Sequence, residues 1–127
     1  MRYILAGLAL CFTLTAQASG PNDGIYVMTY EAVPDYSDFV SIHQNGDTIL
    51  FITLDPSDFT WEVLQGVRQG NQASLQYALG GNSGSVVLML EFLTATTAAL
   101  SLEACSADPG SVCNFPDGAQ FDLIKAF

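Results

Sequence analysis

The chain has 127 residues, 50% of them apolar and 13% charged, with 13 acidic side chains against three basic ones and a formal charge of −10. Apolar content this high offsets the entropy lost on ordering a core, which excludes a disordered chain. Acidity this strong repels phosphate backbones and anionic headgroups, which excludes nucleic acid as a partner and leaves cations, metals and basic proteins.

The first eighteen residues read as a segment outside the fold. Arg2 supplies one positive charge, "ILAGLALCFTL" an apolar run, and "TAQA" places Ala16 and Ala18 at the small positions of an A-x-A cleavage site. This is the layout of a secretory signal peptide. The run is shorter than the about 20 residues of a spanning helix. A lipid-modified Cys11 would need a small residue before it, and Leu10 is not one. Cleavage after Ala18 would leave residues 19–127 as one domain, exported to the periplasm or the exterior without stable membrane insertion. Arg68 and Lys125 then stand against all thirteen acids, a formal −11.

Eight strands follow, separated by turn residues: "GIYVMTY" (24–30), "FVSIHQ" (39–44), "TILFITL" (48–54), "FTWEVLQ" (59–65), "ASLQYAL" (73–79), "SVVLMLEF" (85–92), "TTAALSLEA" (96–104) and "AQFDLIKAF" (119–127). Gly, Pro, Asn and Asp fill the gaps because they adopt the dihedrals that turns need. The stretch 85–104 holds good helix formers, but recurring Val and Thr and the alternation through "AALSLEA" favour a hairpin. In "HQNGDT", Asn45-Gly46 predicts a two-residue type I′ turn, with Gln44 opposite Asp47, His43 opposite Thr48, Ile42 opposite Ile49 and Val40 opposite Phe51.

Alternation predicts the faces. Leu75, Tyr77 and Leu79 share one side, as do Leu100 and Leu102, and Phe121 and Leu123. In the fourth strand Phe59, Trp61 and Val63 form the apolar set, opposed by Thr60 and Glu62. "TILFITL" is apolar on both faces, so it is either covered twice or meets a partner. Short loops predict an antiparallel meander. Closing it removes two open edges, so the expected fold is all-β, a closed or half-open barrel of lipocalin or streptavidin type rather than a two-sheet sandwich. A meander also sorts the loops. Glu31, Asp35, Asp38, Asp55, Asp58, Asp108 and Asp117 would share one end, away from Asp47 and Arg68.

Cys105 and Cys113, in "ACSADPGSVC", read as a disulfide in an exported chain. Their spacing is not C-x-x-C and no His stands near, which argues against a redox or metal pair. "PDYSDF" and "DPSDF" repeat a D-x-x-D spacing, so Asp35, Asp38, Asp55 and Asp58 are candidates for a cation or partner contact. Turn chemistry explains the same residues, and no EF-hand spacing occurs. His43 is the only imidazole and no G-x-S-x-G elbow is present, so no catalytic residue is assigned and no cofactor or metal is expected. Tyr26, Tyr30, Trp61 and Tyr77 are candidates for lining a ligand pocket, since aromatics combine area with polar tips. The terminal "FDLIKAF" is like the ending of outer-membrane barrels, but Lys125 interrupts its alternating set and the strands are short for spanning.

At "GIY" (24–26), "FVSIHQNGDTILFITL" (39–54) and "WEVLQG" (61–66) the chain resembles a loose class of small exported proteobacterial β-domains, over residues 24–66. That class carries Pro-Trp-Tyr near the fourth strand, where this chain has Thr60 before Trp61. The resemblance implies fold and export but no activity. The expected function is a non-enzymatic binding module, for a small apolar ligand in the barrel or a basic protein at the acidic end. A structural or assembly component of the cell envelope is the alternative reading, and a carboxylate- or calcium-dependent hydrolase is a further one.

Overall fold

The computed structural model describes residues 20–54, 61–77, 85–106 and 115–127. Eight strands run in chain order: β1 (Gly24–Thr29), β2 (Ser37–Asn45), β3 (Thr48–Leu54), β4 (Trp61–Gln69), β5 (Gln72–Tyr77), β6 (Ser85–Phe92), β7 (Thr97–Ser106) and β8 (Gln120–Lys125). Each pairs antiparallel with the next, and β8 returns to β1 through Tyr26↔Lys125, Val27↔Ile124 and Met28↔Leu123. The result is a closed meander barrel, which abolishes free sheet edges. It is the closed form of the expected fold, and 85–104 does form a hairpin, with a bulge between Val87 and Leu88.

The core follows from the two-residue period of strands. Tyr26, Val40, Ile42, Ile49, Phe51, Leu64, Leu75, Leu90 and Leu123 point inward, none more than 2% exposed. Exposure this low leaves no water-sized gap beside these side chains. An eight-stranded barrel is just wide enough for side chains to fill, and at the level of these residues they fill it.

Residues 20–23 strap one end. The Asp23 carboxylate accepts the Gly20 and Gln44 backbone N–H groups. The Asn22 side chain, 5% exposed, donates to Gln44 Oε1 at 2.9 Å. The Tyr26 hydroxyl donates to the Asn22 carbonyl at 2.9 Å.

Three sequence expectations are corrected. The first hairpin turns at Gly46-Asp47, with Asn45 paired to Thr48. Ile42 therefore faces Phe51, Val40 faces Thr53 and His43 faces Leu50. Gly46 has φ 60° while Asp47 does not have positive φ, the pattern of a type II′ turn. That turn asks positive φ of glycine alone, whereas type I′ would also ask it of Asn45.

The second correction is that β4 continues through 66–69, expected as loop, to a two-residue turn at Gly70-Asn71. Gly66 permits this: a Cβ there would lie 2.2 Å from the Ser74 carbonyl oxygen. The third concerns the faces of β4. Leu64 and Gly66 point inward, which turns Glu62 and Arg68 inward and puts Trp61 and Val63 outside. Phe59, Thr60 and Leu79 lie outside the described residues.

Candidate functional site

The described parts of the connections after β1 and before β8 meet at the barrel end opposite the strap, forming a rim. Beyond β1 the chain makes two successive turns, Val33 N–H to Tyr30 carbonyl and Tyr36 N–H to Val33 carbonyl, each 3.1 Å. Asp35 sits inside the second turn with φ 67°, a conformation Asp tolerates better than most residues. These turns fold Tyr30 and Tyr36 onto Phe115 and Phe121. Phe115 meets Tyr30, Tyr36 and Phe121 edge-on, with centroids 5.2, 5.4 and 4.9 Å away. Such edge-to-face contacts are worth about 0.5–1.5 kcal/mol each beyond area burial. Burial, reinforced by the Asp38 carboxylate, raises the Tyr36 hydroxyl above the usual phenol value.

Carboxylates ring this aromatic floor. Glu31 and Asp117 line a shallow open depression with Tyr30, Ala32, Pro116 and Gly118. Asp38 accepts the Phe39 N–H at 2.7 Å, and Asp117 accepts the Cys105 N–H at 3.2 Å. Glu62 points inward below the rim and accepts the Tyr77 hydroxyl at 3.1 Å. The two basic side chains of the barrel are at the strapped end. Arg68 donates to the Gly70 carbonyl at 2.7 Å and to Gln44 Oε1 at 3.4 Å, with its guanidinium 5.3 Å from the Phe92 ring centroid. Lys125 Nζ lies 6.0 Å from the Tyr26 ring centroid. The strapped end thus has both signs of charge, while the described rim has carboxylates alone.

The four candidate aromatics do not converge. Tyr26 is core, 1% exposed, at the strapped end; its hydroxyl is raised above the usual phenol value by burial and then by Asp23. Tyr30 belongs to the rim cluster, and Tyr77 faces inward toward Glu62. Trp61 stands on the outer wall, 69% exposed, and so lines no interior space. Of the four candidate acids, Asp35 and Asp38 are at the rim; Asp55 and Asp58 lie outside the described residues, as does Cys113. Among the described residues no three His, Cys, Asp or Glu side chains are grouped to hold a metal.

Three arrangements were not visible in the sequence: the Phe115 cluster, the Glu62–Tyr77 bond and the Arg68–Gln44–Asn22 network. Each joins residues at least fifteen positions apart in the chain, and such proximity has no local signature. His43 meets Ser41 Oγ at 3.0 Å on the exposed face of β2. Among the described residues no carboxylate orients that imidazole, so the pair lacks the third member of a triad. Comparison with family models, curated proteins and solved structures returns no match.

Proposed function

We propose that this protein is an exported, non-enzymatic binding module that takes a basic protein at its acidic rim. The observation behind this reading is the separation of charge along the barrel axis. Glu31, Asp35, Asp38 and Asp117 stand at the rim, while Arg68 and Lys125 stand at the opposite end. Such a field steers a cationic partner toward one end and speeds its encounter. The aromatic floor adds faces over which Lys or Arg side chains can settle. A small apolar ligand inside the barrel is less favoured, because the central side chains leave it no room. The Cys105–Cys113 bridge belongs to the same exported reading. It is supported by the state of Cys105, which is bonded rather than a free thiol.

The test is binding of an immobilised Lys/Arg-rich peptide at low and high salt. Two double variants remove equal charge: Glu31→Gln with Asp35→Asn at the rim, and Asp47→Asn with Glu91→Gln toward the strapped end. Exposed ion pairs contribute about 0.2–1 kcal/mol each, so the rim pair should weaken binding about 2- to 30-fold, and the strapped-end pair much less. Equal losses from both pairs, or binding insensitive to salt, would refute a directed acidic rim.

The apolar outer face of β3 favours a second reading, an assembly component. Leu50 and Ile52 point outward there and no described element lies over them.

A further inference from the structure

We infer that the outward face of β1–β4 joins two copies of this chain. Phe39, 62% exposed, stands at the rim end of the face. Ile25 and Val27 of β1 flank it on one side; Leu50 and Ile52 of β3, then Val63 and Trp61 of β4, flank it on the other. The register puts Val27 opposite Phe39, and runs Ile25, Ser41, Ile52 and Val63 along one rung. These side chains therefore form one continuous surface. Among the described residues, the outward positions of β1–β4 hold no Asp, Glu, Lys or Arg. The outward acids Glu91, Glu103 and Asp122 are on β6–β8.

The area is what a second copy needs, and the uncharged outward positions favour one as the occupant. A buried aromatic covers roughly 150–250 Å², so the exposed parts of Phe39 and Trp61 supply about 300 Å², and their aliphatic neighbours bring the total to about 500 Å². That lies toward the upper end of the about 300–600 Å² patch a monomer ordinarily shows. A standard interface buries about 800 Å² per partner, and homodimer interfaces are about 65% apolar, which asks for about 500 Å². His43, Gln65 and Thr48 supply the polar border that such interfaces have, and Ser41, on the central rung, bonds His43 at 3.0 Å.

A second copy of residues 19–127 carries the same formal −11, so most approaches set carboxylate against carboxylate. The outward strand positions of this face set no charge between two copies that meet by a two-fold axis, and Asp38 stays at its edge. A basic partner would gain nothing from a wall that offers it no charge. The inference does not rest on the acidic rim, although Phe39 and Trp61 stand at the rim end of this wall and Asp38 adjoins Phe39.

Analytical ultracentrifugation of residues 19–127 tests it. A dimer is expected at tens of micromolar. It should tighten as salt rises from about 10 mM to about 1 M, because the Debye length falls from about 30 to about 3 Å and like-charge repulsion is screened. Phe39→Asp and Trp61→Asp should each raise the dimer dissociation constant about 100-fold or more, with unchanged far-UV circular dichroism. Gln76→Asp, on the outer face of β5, should change it little. Should Phe39→Asp perturb the fold, Ile52→Asp probes the same face from β3. A monomer at every salt concentration would overturn the inference, as would a dimer that survives the face variants. A monomer that docks on zwitterionic vesicles through Trp61, seen as a blue-shifted emission, would assign the face to a membrane surface instead.

Discussion

Phe51→Ala tests whether the barrel is a filled core or a ligand cavity. Phe51 points inward from the middle of β3, is 2% exposed, and faces Ile42 on β2 and Leu64 on β4, exposed 0% and 2%. Truncation removes most of a buried ring, roughly 150–200 Å² of apolar area, which at about 25 cal/mol per Å² is about 4–5 kcal/mol. Measured Phe→Ala changes in cores span about 3–5 kcal/mol, the cavity left behind included. A domain of this size has about 5–15 kcal/mol in total, so the variant should fold but unfold at much lower urea. Far-UV circular dichroism is the suitable readout, because Trp61 is 69% exposed and its emission reports the core poorly. The new cavity is lined by apolar side chains, stays dry, and should bind benzene. Benzene should therefore raise the melting temperature of Phe51→Ala and leave that of the unaltered protein unchanged. A loss below about 1 kcal/mol, together with benzene stabilising the unaltered protein, would mean that Phe51 already borders a cavity. The filled-core argument would then be wrong.

Gly66→Ala should cost about 3 kcal/mol or more, because its Cβ would meet the Ser74 carbonyl 2.2 Å away and force the β4–β5 ladder apart. A urea midpoint within error of the parent would show that the ladder yields freely. The raised hydroxyls of Tyr26 and Tyr36 predict alkaline lability. The unfolded chain releases these protons near pH 10 while the folded chain still holds them, so stability is full below about pH 10 and falls as pH rises from there. Tyr26→Phe should flatten that fall while costing about 1 kcal/mol at pH 7 through the lost bond to the Asn22 carbonyl; an unchanged alkaline slope would contradict the assignment. Reducing the proposed Cys105–Cys113 bridge should cost about 2–3 kcal/mol, the chain-entropy value for a loop this short. Calorimetry with and without reductant reads it directly, and identical melting would argue against the bridge.

The fold was largely legible in the sequence because a barrel strand is a local pattern. Alternation in 73–79 and 119–127 identifies β5 and β8 and their inward sets, Leu75 and Tyr77, and Phe121 and Leu123. Alternation fails on β4, where Trp61 and Val63 make an apolar set as persuasive as Leu64 and Gly66. Volume decides between them: the interior already holds Phe51 and Tyr26, and Gly66 fits beneath Ser74 where a side chain would clash. The hairpin at Gly46 shows the same limit. Both registers place Ile42 inside, so hydrophobic pattern cannot choose between them, and the turn dihedrals do.

The sequence by itself determined the strand count, the order of turns and the excess of acid, since each is written residue by residue. It also determined that a meander would gather Glu31, Asp35, Asp38 and Asp117 at one end, given the topology. Tertiary structure alone decided that the barrel closes and that its centre is filled. It also turned Arg68 and Glu62 inward, and left Phe39 and Trp61 together on an uncharged outer wall. These outcomes depend on which strands become neighbours and how much volume lies between them, and neither quantity is local to any stretch of the chain.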